Sequence, residues 1–315
     1  MPKAQPIKLS KQWVLKALTH LDRDPSKKRV LELETEFRRW LDNSHLALPG
    51  NTLSIKKLSG QINPFVLLSH AKLEGLSLVA DLESHLKLAK QFSSIETSAG
   101  KMLEEITVPV FGWQRTHSSA QSRESIIDAE CKGGDVLYVA TIKSGPRTLN
   151  DDISQRLGRS IATDAPEWGK RRGVQHVDVT YATLYGTFKQ SNKKDWRVLL
   201  AAYEHLHSQG ATILVAPEKR TRLVFYDKGV QVSVHIRNGI KWWSFLGQSG
   251  LTFLEVGAAL IRATIAPDSN RKEPGSQELK AILEVPEDFN IGILQRNQVE
   301  WALFYASWFA DAFAF

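Results

Sequence analysis

An acid, a hydroxyl and a lysine lie on two predicted strands joined by a Gly-Gly turn. Asp128 is on the first strand, 125–131, while Thr141 and Lys143 close the second, 136–143. Residues two apart on a strand face the same side, so Thr141 and Lys143 project together. Phosphodiester hydrolysis uses carboxylates that hold Mg²⁺ and a nearby lysine that orients the water or stabilises charge. The hairpin therefore predicts this chemistry, although the pattern alone also fits a strand end that reaches solvent.

A second acid-x-lysine triplet competes with this assignment. Glu130 and Lys132 are also two residues apart, but Glu130 shares its strand with Asp128. Both acids would then come from one strand, whereas two strands converge better on one metal. We prefer Thr141 and Lys143, and Glu130 remains the alternative.

Composition limits the class of protein. The chain has 315 residues, a net charge of +7 and a pI near 9.3, which favours polyanionic partners only weakly. A single cysteine, Cys131, excludes a disulfide framework and a cysteine-rich zinc site, and indicates a reducing cytoplasm. We expect no targeting segment and no membrane span, because the uncharged run Trp301 to Ala310 is too short. Lys101 follows a glycine without the rest of a phosphate loop, so no nucleotide cofactor is expected.

Hydrophobic periodicity predicts the elements that must position the hairpin. Helices are predicted at 8–22, 26–45, 62–74, 77–94 and 95–108 before it, and at 149–162, 194–208, 251–265 and 297–313 after it. Further strands are predicted at 177–185 and 211–216. This order predicts an α/β fold with a central mixed sheet flanked by helices. We divide the chain into a helical region, 1–94, and a core, 95–315.

Short motifs extend the pattern along the chain. The second strand runs into Lys143-Ser144-Gly145-Pro146. The others are, in order, Ile62-Asn63-Pro64-Phe65, Gly100-Lys101 with Glu104-Glu105, Pro109-Val110-Phe111-Gly112, Leu184-Tyr185-Gly186 and Trp242-Trp243-Ser244-Phe245-Leu246. Their shared order resembles type II restriction endonucleases of the PD-(D/E)XK superfamily, from about residue 60 to 265. The best fit is the subgroup that cuts the interrupted palindrome RGGNCCY.

The resemblance implies a restriction-endonuclease-like core and assigns roles to the hairpin residues. Asp128 is the implied metal-holding acid and Lys143 the implied catalytic lysine, with Mg²⁺ as cofactor. Thr141 departs from the family, which usually has an acid at this position, and a hydroxyl is a poorer Mg²⁺ ligand. We expect Glu104 to supply the replacement carboxylate at this catalytic and metal site. Glu105 and Glu96 are alternatives.

Basic and polar residues after the hairpin are the expected contacts to duplex DNA. They are Arg147, Asn150, Arg156, Arg159 and Lys189. A homodimer suits a palindromic site, with the helices at 26–45 and 297–313 as candidate interfaces. Two other functions stay open. One is a DNA-binding protein whose nuclease centre has decayed, and the other is a repair or junction nuclease on the same core.

Overall fold

The described part of the chain covers most of the predicted core. The computed structural model describes residues 6–43, 99–116, 126–217, 222–267 and 275–315. The chain forms two units, Met1–Arg38 with Leu103–Phe315 and, separately, Arg39–Met102. The predicted helices at 62–74 and 77–94, the motif at 62–65 and Glu96 lie outside the described residues. The predicted division at residue 94 therefore stays a prediction.

The described strands form a seven-stranded mixed sheet and a separate two-stranded sheet. Numbered along the chain, the strands are β1 (Lys8–Ser10), β2 (Gln114–Arg115), β3 (Ala129–Gly133), β4 (Val136–Lys143), β5 (His176–Thr183), β6 (Thr212–Val215), β7 (Arg222–Asp227), β8 (Val230–Asn238) and β9 (Ala312–Ala314). The large sheet has the order β2-β3-β4-β5-β8-β7-β6, and β1 pairs with β9. Pairs β4–β5 and β5–β8 are parallel, and the other pairs of this sheet are antiparallel. The predicted mixed sheet is confirmed.

Helices flank the sheet as predicted. They are α1 (Lys11–His20), α2 (Ser26–Asn43), α3 (99–110), α4 (Asp151–Arg172), α5 (Lys194–Ser208), α6 (Ile240–Leu246), α7 (Thr252–Thr264), α8 (Gln277–Leu283) and α9 (Arg296–Ser307). Helices α4 and α5 cover one face, where Leu157, Ile161 and Leu199 pack against Val179 and Val232. Among the helices of the described ranges, none is long and apolar enough to cross a membrane.

Helix α4 follows the hairpin β3–β4 and is longer than predicted. Its N-cap is Asn150, whose side chain accepts a hydrogen bond from the Ile153 amide at 2.8 Å. The prediction that it ends at residue 162 is wrong, because the helix continues through Pro166 to Arg172. Its buried stripe continues with Ala165 and Trp168, so packing on the sheet outweighs the helix-breaking tendency of proline.

The hairpin β7–β8 was absent from the predicted elements. Strand β8 lies between β5 and β7, in the interior of the sheet. Val230, Val232 and Val234 alternate with Gln231 and Ser233, and the three valines are buried. The alternation was a usable signal, but pairing with β5 is a long-range contact that no local pattern specifies.

The last predicted helix ends early. Helix α9 stops at Ser307, and Ala312–Ala314 then form β9 beside β1. The prediction of a helix to residue 313 is therefore wrong. Asp311 explains part of the change, because its Oδ2 accepts the Ile7 amide at 3.0 Å and its backbone amide donates to the Ile7 carbonyl. These bonds hold the chain ends together in a strand pair.

Candidate active site

Asp128 and Lys143 face each other across the hairpin. Asp128 immediately precedes β3, and its amide donates to the Ala140 carbonyl at 2.8 Å, which continues the ladder with β4. Its Oδ2 atom accepts the Ile142 amide at 2.6 Å and lies 3.7 Å from Lys143 Nζ. Because the backbone and the lysine both contact one oxygen, the carboxylate has a fixed orientation.

Thr141 is part of the same cleft but is turned into the structure. Its side chain is 5% exposed, and its hydroxyl donates to the Ile126 carbonyl. The cleft has a volume of about 350 Å³ and is lined by Ile126, Asp128, Thr141, Lys143, Ile153, Arg156, Leu157 and Ser160. The hydroxyl therefore braces the segment before Asp128, and it supplies no negative charge.

Glu104 lies on α3 within electrostatic range of Asp128. Burial and, next, the negative charge of Asp128 raise the pKa of Glu104 to about 7, against the opposing effects of Lys143 and Arg115. Burial also raises the pKa of Asp128, while Lys143, the Ile142 amide and Arg115 lower it. Burial and mutual repulsion disfavour ionisation of these two acids, and a bound cation would offset both effects.

The other predicted acids are arranged differently. Glu105, the neighbour of Glu104 on α3, pairs with Arg115, whose Nη2 lies 3.4 Å from Glu105 Oε1. Glu130 pairs with Arg172 at the C-terminal end of α4, with Arg172 Nη2 lying 3.1 Å from both carboxylate oxygens. Glu130 does not line the Asp128 cleft. Glu105 and Glu130 are thus paired with arginines, whereas Glu104, which does not line the cleft either, is linked to Asp128 through the effect of charge on its pKa.

The predicted DNA contacts surround the cleft unevenly. Arg156 lines it, and Arg159 is exposed on the next turn of α4. Lys189 is also exposed. Arg147 donates through Nε to the Gln190 carbonyl at 3.1 Å, so this side chain is tied to a neighbouring loop. Asn150 uses its side-chain oxygen as the cap of α4, which gives it a structural role beside any contact with DNA.

Two residues near the site were not predicted. Ser160 lines the cleft one helical turn after Arg156, and the i,i+4 spacing on α4 was a signal for it. Arg115 lies on the short edge strand β2, opposite Ala129 in register. Its charge lowers the pKa of both Asp128 and Glu104. No local motif marks Arg115, because its position depends on the pairing of β2 with β3.

Close backbone packing explains two of the sequence motifs. A Cβ atom on Gly145 would lie 2.5 Å from the Tyr185 hydroxyl, and one on Gly186 would lie 2.6 Å from Pro146. Gly186 also has a φ of 91°, which favours glycine. The segment after Lys143 therefore packs directly on the segment after β5. Trp243 Nε1 donates to the Leu184 carbonyl at 2.8 Å and ties α6 to this layer.

The donor set suits a hard divalent cation that keeps most of its water. In the described ranges, no group of three or more His, Cys, Asp or Glu side chains is arranged to hold a metal. Asp128, and Glu104, whose pKa the charge of Asp128 raises, are the candidate carboxylates. Mg²⁺ is commonly held by one or two carboxylates together with water and substrate phosphate. The residues present therefore fit Mg²⁺ as a partly protein-bound ion.

A comparison with protein families agrees with the geometry. The family model described as type II restriction endonuclease EcoO109I matches residues 50–210, which is half of the chain. The match contains α3, the hairpin, α4, β5 and α5, and therefore every element that carries the cleft. No curated protein matches the chain.

Proposed function

We propose that this chain, which belongs to the type II restriction endonuclease EcoO109I family, hydrolyses duplex DNA with Mg²⁺ at a short palindromic site. The observation that carries the proposal is the contact of Asp128 with Lys143 in an open cleft, 3.7 Å between Oδ2 and Nζ. Glu104 supplies a second acid, and Arg156 adds a cation for the DNA backbone. Phosphodiester hydrolysis requires acids that bind the metal, a lysine near the reacting phosphate and a further positive side chain for the DNA backbone.

Each side chain has a distinct task in this proposal. Asp128 and Glu104 would hold Mg²⁺, which would supply Lewis-acid activation of the attacking water and of the phosphate when bound. Lys143 directs its ammonium group at the reacting phosphate and stabilises the charge that develops there. Arg156 binds a phosphate oxygen and positions the strand. Thr141 holds the Ile126 carbonyl and so keeps the segment before Asp128 in place.

The proposed recognition site is G·C-rich with an unread central base pair, RGGNCCY. Membership of the family supports this sequence. Arg159, exposed on α4 one turn after the cleft residue Arg156, is a proposed base contact. Arginine reads guanine O6 and N7 with two hydrogen bonds, each good pair contributing about 1–3 kcal/mol of discrimination. Sequencing of the cut ends on genomic DNA tests the proposal, and a site of A·T pairs alone would contradict it.

We propose that the protein acts as a homodimer, because two identical halves each cut one strand of a palindrome. The segment 297–313 is a candidate interface, since Trp301 on α9 and Trp308, just after its end, are 46% and 58% exposed. Helix α2, within 26–45, is the other candidate. Large exposed aromatic side chains are enriched at protein interfaces.

Thr141 supports a second function, a DNA-binding protein whose nuclease centre has decayed. The family position that usually holds an acid is a buried hydroxyl bonded to a carbonyl. A protein of this kind would bind the same DNA and leave it intact with or without Mg²⁺. Family membership favours restriction over repair, and a discrete band pattern on long DNA separates these two nucleases.

Lys143→Ala tests the proposed catalytic role. We expect cleavage at least about a hundredfold slower, the scale of losing one transition-state charge partner, with DNA affinity retained. Lys132→Ala is the matched control, because Lys132 is on the same hairpin and donates to the Arg172 carbonyl, outside the cleft. Unchanged turnover in Lys143→Ala would remove the assignment. Absence of cleavage by the wild type in Mg²⁺, with DNA binding intact, would favour the decayed centre.

A further inference from the structure

Arg115 and Glu105 form an ion pair beside the two proposed metal-binding acids. Arg115 Nη2 lies 3.4 Å from Glu105 Oε1, and the two side chains are 34% and 25% exposed. Strand β2 places Arg115 opposite Ala129, and the next amide, that of Thr116, donates to the Asp128 carbonyl at 3.2 Å. The guanidinium is thus attached to the edge of the hairpin that carries the site.

The two adjacent glutamates of α3 have different surroundings. Successive residues of an α-helix point about 100° apart, so Glu104 and Glu105 cannot present their carboxylates to the same point. The charges of Asp128, Lys143 and, more weakly, Arg115 act on Glu104, whereas the carboxylate that Arg115 contacts is that of Glu105. The guanidinium therefore influences Glu104 through its charge and forms its ion pair with Glu105.

We propose that Glu105 is a positioning residue whose ion pair keeps the Arg115 guanidinium from contacting Glu104 and Asp128 directly, and so keeps these acids available to the metal. The inference rests on the proposed Mg²⁺-dependent function and names a regulator of that site. A guanidinium forms strong two-pronged contacts with carboxylates and carries a permanent positive charge. Without its partner on α3, Arg115 would turn toward the nearest remaining acids and compete with the cation.

This arrangement predicts that a defect caused by replacing Glu105 is reversed when Arg115 is also replaced. Glu105→Gln should raise the Mg²⁺ concentration for half-maximal cleavage by about tenfold, the scale of one added charge contact at a partly exposed site. Adding Arg115→Ala should restore the wild-type value within about twofold, because the competing cation is gone. Arg115→Ala alone should need no more Mg²⁺ than the wild type.

Binding measurements make the test independent of catalysis. In the Lys143→Ala background, where cutting is slow, Mg²⁺ can be titrated calorimetrically into the complex with a cut-site duplex. Its affinity should be lower with Glu105→Gln and should return to the parent value when Arg115→Ala is added. The matched control is the ion pair between Glu130 on β3 and Arg172 on α4, which does not line the cleft. Glu130→Gln, alone or with Arg172→Ala, should leave the Mg²⁺ affinity unchanged.

The outcomes are separable. A Glu105→Gln defect that persists after Arg115→Ala would make Glu105 a ligand and overturn the inference, as would a Glu105→Gln variant with normal Mg²⁺ affinity. Weaker binding of DNA without metal in Arg115→Ala would make Arg115 a phosphate contact, which also overturns it. If the wild type neither cuts DNA nor binds Mg²⁺ on it, the proposed function fails and the inference with it.

Discussion

Replacement of Glu104 by glutamine tests the central assignment of the metal site. The amide has the shape of the acid but neither its negative charge nor its proton. Burial and the charge of Asp128 raise the pKa of Glu104 from 4.5 to about 7. At neutral pH, therefore, about half of the metal-free molecules carry a proton on this side chain, and that proton must leave before the oxygen can bind Mg²⁺.

The raised pKa sets both the size and the sign of the pH effect. Below pH 7 the proton competes with the metal, so the Mg²⁺ concentration for half-maximal cleavage should rise up to about tenfold per pH unit. Above about pH 8 the carboxylate is fully ionised, and the curve should become flat. Glu104→Gln should raise the Mg²⁺ requirement by at least about tenfold at pH 8, and its dependence on pH should be much weaker.

Stability without metal gives a second measurement of the same group. Because the pKa of Glu104 rises on folding from 4.5 to about 7, its contribution to stability is fully present below about pH 4.5, is lost as the pH rises to about 7 and changes little above that. Metal-free wild type should therefore lose thermal stability between about pH 5 and pH 7 more steeply than Glu104→Gln. Mg²⁺ with DNA should raise the melting temperature more at pH 8 than at pH 6.

The assay is a Mg²⁺ titration of plasmid cleavage at pH 6, 7 and 8 for wild type, Glu104→Gln and the control Glu130→Gln. Glu130 lies on the same hairpin and is paired with Arg172 outside the cleft, so its replacement should leave all three curves in place. The assignment is refuted if Glu104→Gln cuts normally at low Mg²⁺ while Glu130→Gln is inactive. Glu130 would then be the second carboxylate.

Three further predictions concern the support of the site and the assembly. Thr141→Ala should lower the free energy of unfolding by about 1–3 kcal/mol, because it leaves the Ile126 carbonyl without its hydroxyl donor; denaturant unfolding measures this. The same variant should change the Mg²⁺ requirement less than Glu104→Gln does, as measured by the Mg²⁺ titration of cleavage. Gly158→Ala should destabilise by about 1–3 kcal/mol, since its Cβ would lie 2.4 Å from the Val198 carbonyl oxygen, whereas Gly250→Ala meets open space and should not; equal unfolding curves would contradict this. Light scattering should give the mass of a dimer on cognate DNA, and a monomer both free and bound would remove the dimer.

Local periodicity was sufficient for strand β4 and helix α5. Both have the predicted bounds, because each has a strong apolar pattern between clear turn signals. The first strand of the hairpin was predicted at 125–131, but β3 covers Ala129–Gly133, so Asp128 lies just before it. Asp128 and Lys143 could be placed together from the two-residue period of strands and the Gly-Gly turn alone. The continuation of α4 through Pro166 could not, since burial against the sheet decides it.

Long-range pairing explains what the sequence left open. Strand β8 enters the sheet beside β5, which is distant in sequence, and the two-residue strand β2 brings Arg115 to Asp128. The closeness of Glu104 to Asp128 was expected from the resemblance to a family, and no local sequence pattern indicated it. Contacts of this kind depend on the assembled sheet, so the charged surroundings of a site are harder to predict than its strand residues.

The balance of charge in the cleft explains why metal and DNA should be bound together. Asp128 and Glu104 contribute two negative charges when both are ionised, and Lys143 and Arg156 offset them with two positive charges. Arg115 and Glu105 compensate each other at the edge. With Thr141 in place of a third acid, the DNA-free protein attracts a divalent cation weakly, and the raised pKa of Glu104 weakens the attraction further. A DNA phosphate adds the missing negative charge and contacts the cations that oppose the metal. Because coupling between two ligands is reciprocal, Mg²⁺ must then strengthen DNA binding by the same factor by which DNA strengthens Mg²⁺ binding.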